Sequence, residues 1–244
     1  MKIEGKNQVK QALLSDVTIS KLIIDKNYLS RKDDIISLAK AKKVKIEFLA
    51  KKDMDKLSET EHHQGYIAET VDFKYSELGD ILAVAYGRGE DPFVVLLDGI
   101  SDPHNLGACI RSCECAGVHG IIIPRNRACG VNETVIRTSA GATANMKIAV
   151  VANLKDAIDK LRDAGLWIYV AEAEGECVYE KDLTGPIGIV VGSEGEGVKK
   201  TLRSYCDGIV SLPLLGKVNS LNASVACGVM VFEVVRQRRK NAKS

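Results

Sequence analysis

Long apolar runs are missing from this sequence. The longest, such as Ile187–Val191, are strand-length, well short of the roughly 20 residues a spanning helix needs, so no membrane segment is expected. The opening MKIEGKNQVKQ has lysines but no apolar core behind them, and no secretory signal is expected either. Paired cysteine spacing is also missing. The seven cysteines, at 109, 113, 115, 129, 177, 206 and 227, form no C-x-x-C, which argues against a disulfide framework and an oxidising compartment. Cys113 and Cys115 invite a metal reading, yet no His/Cys pair stands at zinc spacing. No metal is expected, and the thiols read as buried, reduced packing residues. Aromatics make up only 5% of the 244 residues, beside 45% hydrophobic and 27% charged, with a mean hydropathy of −0.02. That composition suits a globular cytoplasmic protein of one large domain or two modest ones.

What is present is unevenly spread. Residues 1–56 hold 14 Lys/Arg against 8 Asp/Glu, a net of +6, while the rest hold 20 against 24, a net of −4. A basic N-terminal third points to an anionic partner, most often nucleic acid, or to a solvated lysine-rich face. Five of the 21 glycines fall in residues 1–90 and sixteen after them. Hydrophobic periodicity predicts helices over 7–14, 33–41 and 53–58 and strands over 21–24, 44–49 and 66–71. Gly79, Gly87, Gly89 and Pro92, with Arg88, Glu90 and Asp91, then read as a solvated linker over 73–91.

From Phe93 strands and helices alternate, which predicts an α/β layer with a largely parallel sheet. FVVLLD (93–98) is a near-continuous apolar run, as expected of a strand covered on both faces. Helices are predicted over 105–116, 131–139, 153–164, 197–205 and 222–238, and strands over 120–123, 147–151, 166–171, 187–191 and 209–213. The basic end, Arg236, Arg238, Arg239, Lys240 and Lys243, fits either a helix C-terminus matched to its dipole or an RNA contact.

Three loops stand at the carboxyl ends of predicted strands, where ligands gather in open parallel sheets. The first, DGISDPHNLG (98–107), leads into a helix bearing Arg111, six residues after Asn105. The second is Gly192-Ser193-Glu194-Gly195-Glu196-Gly197. Its G-x-x-G-x-G order is not the dinucleotide fingerprint, and two carboxylates stand where a pyrophosphate would lie. A P-loop is absent as well. The third, LPLLGKVNSLNASVA (212–226), carries Asn219, Ser220 and Asn222, all helix-capping types. Three small-polar stretches together exceed what capping requires.

The Asn105/Arg111 pair, the GSEGEG loop and the LP…SLNAS segment, in this order, resemble the three motifs of the SpoU/TrmH group of RNA ribose 2′-O-methyltransferases, within the trefoil-knotted SPOUT class. This likeness covers about 93–239. EGKNQVKQALL and HHQGYIA are similar to the N-terminal module of the bacterial large-subunit (23S) rRNA guanosine 2′-O-methyltransferase branch, a module with a fold like small RNA-binding ribosomal proteins. The resemblance implies a substrate-binding domain at 1–72, a linker at 73–91 and a methyltransferase domain at 92–244. It also implies a homodimer whose second subunit completes the site, rRNA as partner and S-adenosylmethionine (SAM) as donor.

By family position, Gly192, Leu212 and Leu221 hold SAM, with Ser224 assisting, and Glu194 and Asn222 shape the pocket of donor and target ribose. Arg111 is assigned to the 2′-hydroxyl, with Asn105 orienting it. Because guanidinium stays protonated in proteins, stabilising a developing alkoxide and orienting a phosphate suit Arg111 better than general-base work. Two other readings remain: a tRNA or antibiotic-resistance relative with another target nucleotide, and a non-catalytic RNA-binding assembly factor.

Overall fold

The computed structural model describes residues 2–14, 18–29, 33–60, 62–70 and 73–241. The expected strand end at Val71, the domain edge at residue 72 and Lys243 lie outside the described residues. The chain divides into two compact units, residues 1–74 with 129–133, and residues 75–128 with 134–244.

In the first unit, strands β1 (Lys2–Glu4), β2 (Ile19–Asp25), β3 (Lys45–Leu49) and β4 (Tyr66–Thr70) form a sheet in the order β1-β4-β2-β3, with helices α1 (Lys6–Leu14), α2 (Asp34–Ala41) and α3 (Lys51–Leu57). β4 runs antiparallel to β1 and β2, and β3 runs parallel to β2. Leu22 and Ile24 of β2 pack with Val9 and Leu13 of α1 and Ile35 of α2, whereas Ile23 packs with Met54 of α3. The period of two along a strand thus places helices on both faces. β1, with no apolar pattern of its own, was not expected. It is tied down by Glu4, whose carboxylate accepts from Ser58 Oγ and from the Glu59 amide, each at 2.6 Å.

The second unit runs α4 (Leu78–Arg88), β5 (Phe93–Asp98), α5 (Pro103–Cys115), β6 (Gly120–Pro124), α6 (Glu133–Thr138), β7 (Ile148–Val151), α7 (Leu154–Asp163), β8 (Trp167–Glu172), β9 (Glu176–Cys177), β10 (Ile187–Gly192), α8 (Lys200–Arg203), β11 (Gly208–Ser211) and α9 (Ala223–Asn241). The sheet order is β7-β6-β5-β10-β8-β11-β9, and every pairing is parallel. All six residues of β5 are buried. Val94 and Leu96 share a core with Ile81 of α4 and Ile158 and Leu161 of α7, and the alternate residues Phe93, Val95 and Leu97 are buried too, so both faces are covered, as the apolar run predicts. After β5 the chain winds outward to β6, and after β10 it winds the other way to β11. β5 and β10 therefore flank the switch point at which open α/β sheets bind ligands.

One expectation needs correcting. The stretch 73–91 is not a solvated linker but mostly α4, with Ile81 and Ala85 buried. Glu77 and Asp80 form a reciprocal capping box at its start, and Gly89 closes it as a left-handed C-cap. Capping at both ends makes a helix where the glycines suggested none. The predicted helix over 197–205 shrinks to the four residues of α8, because Gly197 belongs to a closed turn described next.

Candidate active site

The GSEGEG loop leaves the carboxyl end of β10, where Gly192 pairs in register with Asp98 of β5. It folds back at once: the Gly197 amide donates to the Ser193 carbonyl at 3.0 Å, and the two residues form an isolated bridge. A Cβ on Gly192 would stand 2.1 Å from the Gly197 carbonyl carbon and 2.4 Å from the Val198 nitrogen. Only glycine allows this approach of backbone to backbone. The glycines therefore serve closure of the turn, not a phosphate, and Glu194 and Glu196 project from an exposed tip.

Three residues from three separated segments meet above this turn. Asn105 Nδ2, in the first turn of α5, donates to Glu194 Oε1 at 2.9 Å. Asn222 Nδ2 donates to Asn105 Oδ1 at 3.0 Å and also to Glu194 Oε1. Asn222 Oδ1 meanwhile accepts from the Ser224 amide at 2.9 Å, from Ser224 Oγ at 2.6 Å and from the Val225 amide at 3.2 Å, capping α9. Asn222 thus does two jobs, as cap and as rim of the site.

Beside this network lies a cavity of about 620 Å³, lined among others by Gly192, Glu194, Leu212, Leu221 and Asn222. Five of the eight residues singled out from the sequence line it, and Asn105 is hydrogen-bonded to two of them, Glu194 and Asn222. Ser224 is not among the lining residues, and its hydroxyl is spent on the Asn222 carboxamide oxygen. Arg111 is exposed on α5 and also stands outside the lining. Among the described residues its guanidinium has no hydrogen-bonding or ion-pair partner.

Two carboxylates that were not singled out hold the loop from behind. Asp98, 2% exposed, accepts from the Lys199 amide at 3.1 Å and faces Lys199 Nζ at 3.4 Å. Glu172 lines the cavity, accepts from the Val198 amide at 3.2 Å and from Arg203 Nη1 at 3.2 Å. Each is a lone acidic residue closing an apolar strand run, FVVLLD and WIYVAE. That pattern at the carboxyl edge of a parallel sheet was the available signal.

Other expected features fall outside the site. Cys109 and Cys113 of α5 pack against Cys227 of α9, with Sγ of Cys113 and Cys227 3.8 Å apart. Hydrogen bonding to Cys227 and burial push the Cys109 and Cys113 thiols well up, which keeps them unreactive. Cys115 is exposed rather than buried. In the basic tail, Arg238 donates to the carbonyls of Asp91, Pro92 and Gly185, and Arg236 pairs with Glu233. Both are structural. Among the described residues, no helix is long and apolar enough to cross a membrane, and no group of three or more His, Cys, Asp or Glu could hold a metal ion.

Residues 92–232 match the SpoU rRNA Methylase family, and residues 2–76 match the RNA 2′-O ribose methyltransferase substrate-binding family. A putative TrmH family tRNA/rRNA methyltransferase, YacO of Bacillus subtilis, is 37% identical over 96% of this chain and 94% of its own length. The 23S rRNA (guanosine-2′-O-)-methyltransferase RlmB of Photorhabdus laumondii is 41% identical over 76% of each chain. Among solved structures, the SpoU methyltransferase AviRb of Streptomyces viridochromogenes superposes with a TM-score of 0.64 at 25% identity, covering 99% of this chain and 90% of that one. With both halves matched, and with the three sequence motifs gathered around one cavity, the chain belongs to the SpoU rRNA methylase family.

Proposed function

We propose that the protein transfers a methyl group from SAM to a ribose 2′-hydroxyl of RNA, at a guanosine of 23S rRNA. The observation that carries this reading is the Asn105–Glu194–Asn222 network at the mouth of a single cavity. The cavity fits the donor chemically. Leu212 and Leu221 offer apolar faces to an adenine, the 192–197 backbone offers main-chain groups to its edges, and Glu172, Glu194 and Glu196 favour a cationic ligand over a polyphosphate. When bound, the donor supplies an electrophilic methyl group on a sulfonium sulfur.

The chain's own residues do the rest. Glu194, fixed by two carboxamides, keeps the loop and the α9 cap in one arrangement, so that the reacting groups are held in line; proximity supplies much of the acceleration. Arg111 offers a rigid fork of five donors, suited to stabilising the developing 2′-alkoxide and orienting an adjacent phosphate.

In this reading residues 1–72 dock RNA, with a fold like small ribosomal proteins, and 92–244 carry the chemistry, with the segments around Gly192, Leu212 and Leu221 forming the trefoil knot of the SPOUT class. The protein works in the cytoplasm as a homodimer. Val225, Val229 and Phe232 support this: spaced i, i+4 and i+7 on α9, they leave an exposed apolar stripe, which a second copy would cover. The position of Arg111 outside its own cavity agrees with a site completed by that second copy.

The test is methyl transfer from labelled SAM to unmodified 23S rRNA and to tRNA, with mapping of the modified nucleotide. Label on one guanosine ribose of 23S rRNA is expected. Label confined to tRNA would move the substrate, and binding of both ligands without transfer would favour an assembly factor.

A further inference from the structure

The site described above has an electrostatic difficulty. RNA is a polyanion, yet the rim it must approach presents Glu194 and Glu196. Behind the GSEGEG loop, Lys199 is paired with Asp98 and Arg203 with Glu172, which leaves Lys200 as the cation there without an ion pair among the described residues. A target strand can approach this rim only if other positive groups hold its phosphates.

Arg127, in the loop after β6, has three properties that suit it to that task. It is exposed, and among the described residues it has no hydrogen-bonding or ion-pair partner. It stands at the right place: a Cβ on Gly99 would lie 3.6 Å from Ser193 Cβ and Oγ and 3.9 Å from the Arg127 carbonyl oxygen. Gly99, free of a Cβ, thus has the Arg127 carbonyl and the side chain of Ser193, the residue before Glu194, on the same side of it. Finally, its φ is +61°, a left-handed conformation that costs a side chain with a Cβ on the order of 1 kcal/mol. Among the described residues no hydrogen bond or ion pair of the side chain offsets that cost, which leaves the guanidinium available to a ligand.

We propose that Arg127 is an RNA-binding residue that takes a phosphodiester of the target strand beside the methylated ribose, holding the strand against the acidic rim. The assignment rests on the RNA-methyltransferase reading and extends it to the positioning of the substrate. It differs from the role of Arg111 in one respect: Arg127 acts through phosphate affinity and strand placement alone, with no part in stabilising the developing alkoxide. A guanidinium matches two phosphate oxygens at once, and releasing one condensed counterion leaves a defined trace in the salt dependence.

The experiment compares wild type, Arg127→Gly and Arg127→Lys with in vitro transcribed 23S rRNA. Four quantities are read: RNA affinity against salt, SAM affinity, KM and kcat for the RNA, and Tm. Arg127→Gly should weaken RNA binding roughly tenfold and lower the log–log salt slope by about 0.7–0.9. The KM for RNA should rise while kcat at saturating RNA and SAM affinity hold. Its Tm should stay level or rise, since relief of the left-handed strain offsets the freer unfolded chain. Arg127→Lys should keep most of the salt slope and lose part of the affinity, as a point charge replaces a fork.

A purely structural residue would lower Tm in Arg127→Gly and leave the salt slope alone. That result, or wild-type affinity and slope in Arg127→Gly, overturns the assignment while wild-type methylation still stands. Failure of the wild type to methylate RNA that it binds with an Arg127-dependent slope would instead overturn the methyltransferase reading and leave the phosphate contact in place.

Discussion

In the second unit every strand pairing is parallel, the central strands are buried throughout, and polar residues collect where the strands end. The first unit pairs β1 and β2 antiparallel to β4, adds β3 in parallel, and ties its loops by carboxylates and imidazoles rather than by a common edge. His63 Nδ1 there accepts from the Gly65 amide at 3.0 Å, His63 Nε2 meets Asp55 at 2.9 Å, and Gln64 Oε1 accepts from the Lys6 amide at 3.2 Å. The HHQG segment is therefore a pinned turn, with His62 left exposed. A parallel sheet concentrates its loops at one edge and so builds a pocket; a small mixed sheet spreads them and offers a surface. Charge is graded within the first unit rather than divided between the two: its positive excess lies in residues 1–56, and Glu59, Glu61, Glu69 and Asp72 follow.

The sharpest way to break this division is to remove the proposed alkoxide contact from the second unit. Arg111→Ala should lower single-turnover methylation roughly 10²–10³-fold, comparable to losing an oxyanion donor, with SAM affinity little changed. Arg111→Lys should not restore the rate, because a compact point charge cannot reproduce the planar fork. Near-normal single-turnover rates in Arg111→Ala would take the residue out of the chemistry.

How much of this could be read from residues alone differs between fold and site. β5 and β10 were legible because continuous apolar runs bounded by polar loops have few other solutions. α4 was not, since Gly79, Gly87 and Gly89 looked like breakers and the capping residues Glu77 and Asp80 sit outside any apolar stripe. The three loops were legible as unusual, and residues 89 and 28 positions apart did prove to share hydrogen bonds at Glu194. Ser224 bonds Asn222 and does not line the cavity, because a hydroxyl two residues past a helix cap has two available roles, and spacing does not separate them. Asp98 and Glu172 were passed over because each joins a backbone amide to a cation, Lys199 or Arg203, that stands far away in sequence, and no local motif records such a pairing.

A smaller effect should separate affinity from chemistry. Lys40, Lys42, Lys43 and Lys45 are exposed at the end of α2 and the start of β3. Changing them to Gln should weaken rRNA binding and reduce the salt slope by about 0.7–0.9 for each lysine that meets a phosphate, with SAM affinity untouched. A chain beginning at Tyr75 should likewise bind SAM while losing most rRNA affinity. The cut belongs there rather than at Asp91, because Ile81 of α4 is fully buried in the second core. Unchanged rRNA methylation and salt slope in both variants would leave the lysines as solubilising residues only.

The smallest expected effect is a difference in how the two units answer to acid. His119 is buried at the start of β6; its Nδ1 accepts from the Phe93 amide at 2.9 Å, so the proton sits on Nε2, which donates to Glu90 at 2.9 Å. Burial, with Arg88 and Arg238 nearby, lowers its pKa below 6.5 despite Glu90. The unfolded chain then binds the proton more readily than the folded one, so this contribution is intact above pH 6.5 and is lost as pH falls below it. In the first unit, hydrogen bonds from Ser58, Thr60 and the Glu59 amide outweigh burial and lower Glu4 from 4.5 to about 2. That contribution is intact above pH 4.5 and lost between 4.5 and about 2. Hydrogen exchange, corrected for intrinsic rates, should show the Phe93 amide losing protection as pH falls below 6.5 while the 58–60 loop holds until below 4.5. His119→Gln should remove the first of these changes and leave the second. Loss of protection at both places over one pH range would show that the units do not titrate separately.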